Sequence, residues 1–449
     1  MKKILYAALL SSAALFTGCE SVVDDLNVNP NEFTEVPAQL LFNQTVLNTA
    51  AIAEAEPARI AGMWSDQFAG TDRQYIVQDR FEVNPAIFDE IWGDLYQQGI
   101  SQAQLAQESA TASGQNAIAN YASLLEGYYA AEAALMFGDV PFNEVNDLEI
   151  ADPAYDDQES VLSAAINLIQ TATGGTGAGN SVSTANEVYT GTATWGEFGN
   201  ALLARYYLAQ GDYPSALTAA RAADFEDTSD DVSIIHTTTN FQENLFFQFE
   251  AEQRTDYLTF GNVGTVQSTL FNILSDTTAM SRGDDDTDDA ARLALLSSGP
   301  AGGFYRLNVL PGGFFAADAS FPVIGYPEVQ LIIAEAAART GDDDAAIAAL
   351  NKARNYWDTL TGTDSYSDLD DDDFDNDDDL LEAILVEKFV SVFGLPTFYD
   401  IIRTDNLIGA DMDTRNTPAQ RFLYPSTEES SNSNFPGTKD LDTPTAVFN

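Results

Sequence analysis

The sequence predicts a mostly helical protein built on tetratricopeptide-like helical hairpins, with long irregular loops that form a ligand surface. Three observations carry this expectation. Apolar residues recur at helical rather than alternating spacing along most of the 449 residues. Two segments, NALLARYYLAQGDYPSALTAARAA and QLIIAEAAARTGDDDAAIAALNKAR, share one pattern of helix, Gly-Asp turn and helix, with alanines along one face. Small residues at that spacing let antiparallel helices approach closely, although generic alanine-rich hairpins would read the same way. The third observation is a set of long aperiodic stretches that hold many aromatics, which argues against simple disorder.

The chain opens MKKILYAALLSSAALFTGCESVVDDLN, with its one cysteine, Cys19, directly behind a basic and then apolar leader. That order predicts a lipoprotein signal peptide over 1–18, too short for a spanning helix, with Cys19 as the lipidated residue. A lone thiol has no partner for an intramolecular disulfide and cannot build a multi-cysteine metal site. An acidic tether over 19–35 follows, and 36–449 reads as a single domain. Helical periodicity marks 37–55, 88–110, 117–137, 159–171, 194–210, 213–223, 326–340, 343–360 and 380–393. The stretches 173–194, 228–257 and 297–320 lack it, as does the tail from Thr404.

Charge narrows the partners. With 19 Lys and Arg against 70 Asp and Glu, the formal net charge is −51. Nucleic acid and anionic membrane surfaces need a basic footprint, so neither suits this chain. Beyond the leader the only lysines are Lys352, Lys388 and Lys439. Carboxylates spread along the whole chain read as an adaptation to high salt, where the Debye length falls to about 3 Å at 1 M.

The residues exclude more chemistry than they suggest. One histidine, His236, and one cysteine rule out Ser-His-Asp, Cys-His and His-rich zinc arrangements, and His236 reads as a surface residue. No cofactor is implied. The run DLDDDDFDNDDDLLEAILVE places Asp371, Asp373, Asp375, Asp377 and Glu382 at calcium-loop spacing, so structural calcium is one reading. Asn376 stands where the loop needs glycine, which favours an acidic lead-in to the helix after it. The run 284–289 lacks the terminal glutamate.

Aromatics beside planar polar groups are the usual equipment for binding sugars, because a flat ring covers the C–H face of a pyranose. Two clusters fit: MWSDQFAGTDRQYIVQDRF and GPAGGFYRLNVLPGGFF. The candidate ligand-binding residues are Trp64, Asp72, Arg73, Tyr75, Phe304, Tyr305, Phe314 and Phe315, with Trp64, Tyr75, Tyr305 and Phe315 as the platform.

Several segments together resemble a known family. LNVNPNEFTEVPAQLLFN, IWGDLYQQGISQAQ, MFGDVPFNEV, WGEFGNALLARYYLA, FGLPTFYDIIRTDN and RFLYPSTEESSNSNF occur in the order of the SusD/RagB outer-membrane lipoproteins, in the SusD-like second branch. The departures are the Asp-rich insertions and IIRTDN, where a double arginine is more usual. The resemblance implies a SusD-like fold without catalysis. Its implied partners are a SusC-type TonB-dependent transporter, a glycan or sometimes a peptide, and the outer membrane through the lipid on Cys19. From the residues alone, a secreted glycan-degrading enzyme and a protein-binding helical scaffold remain as alternatives.

Overall fold

The computed structural model describes residues 36–275, 287–412 and 414–448. Cys19, the leader over 1–18, the tether over 19–35 and the first half of the acidic run 284–289 lie outside the described residues. The segment Ala38–Asn449 makes one unit by its internal contacts. Within it, the helices of nine or more residues are α1 (Ala38–Leu47), α2 (Glu56–Trp64), α3 (Ser101–Ala112), α4 (Asn116–Phe137), α5 (Gln158–Thr173), α6 (Trp195–Ala209), α7 (Tyr213–Ala223), α8 (Tyr326–Arg339), α9 (Asp343–Thr361), α10 (Asp377–Ser391) and α11 (Leu395–Arg403).

Periodicity located α4 to α10 within a few residues. The stretch 37–55 divides into α1 and Thr49–Ala53, and 88–110 contains a π-type turn, Asp94–Ile100, before α3. The two hairpins form where their Gly-Asp turns stand. Asp212 accepts from the Ser215 N–H at 3.2 Å and Asp342 from the Ala345 N–H at 3.3 Å, so each aspartate caps the helix after its turn. Thr194 and Glu197 make a capping box at the start of α6. The centre is α4, whose buried residues run nearly all round it. At Gly127 a Cβ would stand 2.7 Å from Ile169 and 2.8 Å from the Ala165 carbonyl, so glycine is what lets α4 and α5 touch backbone to side chain.

Ion pairs hold the helices in register from inside. On α8, Glu328 and Glu335 lie seven residues apart and share a face. Glu328 receives Arg205 of α6 at 2.6 and 2.7 Å. Glu335 receives Arg403 of α11 at 2.7 and 2.5 Å and Arg339 at 2.8 Å. Lys388 of α10 adds a 2.9 Å pair to Asp400. Glu132 of α4 accepts from the hydroxyls of Tyr206 and Tyr399 at 3.0 and 2.7 Å. A third cluster sets Arg292 between Glu387, at 2.9 Å, and the Trp357 ring, at 4.1 Å. Charge-assisted bidentate geometry is what makes such pairs tolerable once desolvated.

Seven short strands make two antiparallel sheets. They are β1 (Ala69–Gly70), β2 (Tyr189–Thr190), β3 (Val232–Ile234), β4 (Leu258–Asn262), β5 (Ser297–Ala301), β6 (Phe304–Leu307) and β7 (Phe321–Ile324). The larger sheet has the order β1-β4-β6-β5 and the smaller β2-β3-β7. The tail, though aperiodic, is not loose: Phe422 and Tyr424 are buried against Trp64, Phe88, Phe137 and Trp92.

The Asp-rich run is helix-capping structure. Asp370 accepts from the Asp372 N–H at 2.9 Å, Asp373 from the Asp370 N–H at 2.7 Å, and Asn376 from the Asp378 N–H at 3.0 Å. The helix already begins at Asp377, where a calcium loop would still be turning. No group of three or more His, Cys, Asp or Glu among the described residues is placed to hold a metal ion.

Two expectations follow. Burial alone would raise the Glu335 carboxyl, but Arg403, with Lys388 and Arg339, outweighs it and holds the group at about 2. A depressed carboxylate contributes stability that is present above its unfolded value of 4.5 and lost as pH falls toward 2. Glu335→Gln is therefore expected to lower the unfolding free energy at neutral pH by about 3–5 kcal/mol, as removal of one partner of a buried pair does. Denaturant melts should also show a shallower acid limb. Independently, the midpoint of thermal unfolding should rise with NaCl up to about 1 M, because screening relieves self-repulsion at a net charge of −51. A midpoint insensitive to salt would contradict the surface reading.

Candidate functional site

Of the eight candidate residues, the structure gathers some and removes others. Trp64 is 1% exposed, its ring packs against Phe81, Phe88, Phe398 and Phe422, and its indole N–H donates to the Gln78 carbonyl at 2.9 Å. Phe315 is buried among Phe68, Phe246, Phe314 and Phe393. Tyr75 is buried, stacked on Phe249, with its hydroxyl shared between Glu56 and Arg59. These three rings are core, so the four-ring platform expected from the sequence is corrected. Phe314 faces inward too, onto Trp357 and Phe393.

Phe314 lines an enclosed hollow, with Tyr128, Glu132, Arg205, Glu328 and Trp357. Its free space of about 50 Å³ suits a few waters and not a sugar ring. That hollow belongs to the ion-pair interior.

Phe304 and Tyr305 are neighbours on β6, so their side chains leave on opposite faces of the sheet. Tyr305 packs on Phe271 with ring centroids 4.2 Å apart. Phe304 shares its face with Arg306, two residues along. Arg306 makes a two-point pair with Asp256 at 2.6 and 2.7 Å.

Around this pair lies an open polar corner that the sheet assembles from three distant segments. β1 pairs with β4 through Gly70 and Leu258. The Thr71 N–H and hydroxyl then bond to the carbonyls of Tyr257 and Asp256, at 2.9 and 2.7 Å. The next residues, Asp72 and Arg73, are thereby set beside Tyr257. Asp72 caps the short helix Arg73–Asp79 by accepting from the Arg73 N–H at 3.0 Å. The guanidiniums of Arg73 and Arg254 stand 6.0 and 5.5 Å from the Tyr257 ring centre. Arg73 is held with φ 44° and has 73% of its side chain exposed.

The β5–β6 hairpin closes the corner. Ala301 pairs with Phe304, leaving the two-residue turn Gly302-Gly303 with φ 65° and 98°. A Cβ on Gly302 would stand 2.9 Å from the Arg306 guanidinium and 3.6 Å from the Asp256 carboxylate. The turn that carries Phe304 therefore rests on the Arg306–Asp256 pair. Behind it, Glu250 accepts from the N–H groups of Leu258 and Asp256 at 2.7 and 3.1 Å. Burial outweighs those donors and pushes its carboxyl up to about 8.

Asp72, Arg73, Phe304 and Arg306 thus meet Arg254, Asp256 and Tyr257. Reasoning from sequence missed Arg306 as well as the last three, in QRTDY; arginines in loops of an arginine-poor chain were the available signal. His236 is also not the surface residue expected. Its side chain is 6% exposed, with Nε2 2.9 Å from the buried Glu54 carboxylate. Burial opposes the charged ring, yet Glu54 overcomes this and leaves the His236 pKa raised.

Two exposed guanidiniums, one of them 3.7 Å from Asp72, and a paired carboxylate can hydrogen-bond vicinal hydroxyls above the buried Tyr257 ring; among the described residues of this corner nothing aligns a nucleophile with a base. Glu250 and Asp231, two carboxyls that burial raises to about 8 and about 7, accept from backbone or tyrosine donors.

Comparison with known proteins adds the following. Residues 30–425 match the family model SusD-like_2, described as starch-binding associating with outer membrane. Among solved structures, a SusD/RagB family protein from Bacteroides thetaiotaomicron is similar with a TM-score of 0.63 and 15% identity, over 92% of this chain and 99% of that one. A SusD homologue from Bacteroides fragilis gives 0.68 and 16%, over 92% and 99%. A chitin-binding protein gives 0.61 and 16%, over 91% and 98%. No curated protein matches the sequence. No helix among the described residues is long and apolar enough to cross a membrane.

One consequence of the corner is measurable without a ligand. A raised carboxyl holds its proton in the folded state after the unfolded chain has released it. Stability should therefore fall as pH rises from about 4.5 to about 8, at about 1.4 kcal/mol per pH unit for Glu250 at most, and level off above. Thermal melts across that window are expected to show this slope, and Glu250→Gln is expected to flatten it.

Proposed function

The chain belongs to the SusD-like family of outer-membrane-associated binding proteins, and from that premise we propose that it captures glycans at the cell surface and passes them to a SusC-type TonB-dependent transporter. The lipid on Cys19 is the proposed anchor. The observation that carries the glycan reading is the corner at the end of the larger sheet: Arg73 and Arg254 over Tyr257, beside Phe304 and the Arg306–Asp256 pair. Each group suits sugar recognition. Guanidinium and carboxylate are planar and match adjacent hydroxyls two at a time, while the half-buried Phe304 ring can meet a C–H face. Affinity at so open a site is expected to be modest, since solvent competes for every hydrogen bond.

The reading also explains what the corner lacks. A hydrolase would set one raised carboxyl against a second across a cleft, about 5–9.5 Å apart. Asp256 is instead committed to Arg306, and Glu250 to two backbone amides. Non-catalytic capture followed by hand-off fits such fixed groups.

In calorimetry, Arg73→Ala or Arg254→Ala is expected to weaken the best glycan from an array by about tenfold each, or about 1.4 kcal/mol. Trp64→Phe, in the core, should leave affinity unchanged. Equal affinity in all three variants would remove the site assignment. Cys19→Ala is expected to move the protein from the membrane fraction to the soluble fraction, and co-purification with an outer-membrane transporter should fail with it.

A further inference from the structure

We propose that the glycan taken by this corner is acidic, carrying carboxylate or sulfate groups, and that Arg73 and Arg254 are the residues that select it. The inference rests on the glycan-binding reading above and adds the ligand's charge to it.

The argument begins with where the cations are. Arg59, Arg205, Arg292, Arg354 and Arg421 are buried, as is Lys388, and Arg403 keeps only 6% of its side chain exposed. Most of these face carboxylates of the interior. Among the described residues the other exposed cations are Arg80, Arg221 and Lys352. Against that background, two exposed guanidiniums within about 6 Å of one ring gather scarce positive charge at one place.

Two of the neighbouring acids are engaged elsewhere. Asp256 is matched by Arg306. Glu250 is turned inward to backbone N–H groups. Asp72 caps the Arg73 N–H with one oxygen, and its other oxygen is 3.7 Å from the Arg73 guanidinium. Arg254 has no carboxylate within 4.0 Å among the described residues, and its one close partner is the Tyr257 ring. A guanidinium stacked on a ring keeps its edge N–H groups free, and that edge is matched in shape by a carboxylate or a sulfate.

The chain's overall charge does not forbid such a ligand. At about 1 M salt, repulsion from distant carboxylates is screened beyond about 3 Å, so contact pairs decide. A neutral sugar would meet both arginines through its hydroxyls alone, and selection by charge would disappear.

The test uses the full-length chain in detergent at about 1 M NaCl, with matched pairs of probes. One pair is an oligogalacturonate and its fully methyl-esterified form. The other is a sulfated galactan oligosaccharide and its desulfated form. Calorimetry is expected to show the charged member of at least one pair binding about tenfold tighter than its neutral counterpart. The pair that shows it identifies carboxylate or sulfate as the source. In Arg73→Gln/Arg254→Gln that ratio should fall to about one, with circular dichroism unchanged, while Lys352→Gln keeps the full ratio. Equal binding within both pairs, or a ratio that survives in the double variant, overturns the inference and leaves the glycan reading intact. Failure of all four probes, together with maltoheptaose and chitohexaose, overturns the glycan reading and the inference with it.

Discussion

The fold depends on where its few cations go. Glu328 and Glu335, two turns apart on α8, each receive an arginine from a different helix, Arg205 of α6 and Arg403 of α11. Alanine faces alone would let those helices slide, since small residues pack almost equally well one turn along. A bidentate pair does not slide: shifted by one turn, both charges would be buried and unmatched, at a cost of several kcal/mol. The ion pairs set the register that the alanine faces leave loose. This specificity role matters more than any net stabilisation, because a hydrophobic replacement of the same shape is often as stable.

That internal use of arginine shapes the outside. With most basic side chains drawn inward, the surface carboxylates repel one another and rely on salt for screening. It also gives meaning to the exceptions. Arg73 and Arg254 are outside, and they sit where three segments meet at the end of the β1-β4-β6-β5 sheet. The sheet is small, yet it brings residue 73 within reach of residue 257 and ties both to the turn before Phe304 through Arg306 and Asp256.

Helices were legible because burial on one side leaves a repeating mark; the hairpins, their Gly-Asp turns and the long α4 could be read directly. The candidate site was legible only in part. Asp72, Arg73 and Phe304 were found because polar and aromatic residues stood together in aperiodic sequence. The same logic failed for Trp64, Tyr75 and Phe315. Aperiodic sequence does not mean exposed sequence: Trp64 ends a short helix, α2, and Phe315 lies in an irregular segment folded into the core. Phe304 and Tyr305 both stand in the same aromatic stretch of sequence, but a strand places neighbours on opposite faces. Arg254 and Tyr257 escaped because their partner is almost two hundred residues away, and no local pattern records a contact made by a sheet. His236 escaped for the same reason, since Glu54 lies on another element.

The inward placement of basic side chains has a last consequence, in how the protein meets a degrading enzyme. Trypsin-like proteases cut after arginine and lysine, and need several residues of extended, accessible chain around the bond. Here most such residues are locked inside helices and ion pairs. Of the exposed ones, Arg73 and Arg254 belong to the corner proposed to hold ligand. A chain at the cell surface would thus offer digestive proteases few footholds, and a bound glycan would cover two of them.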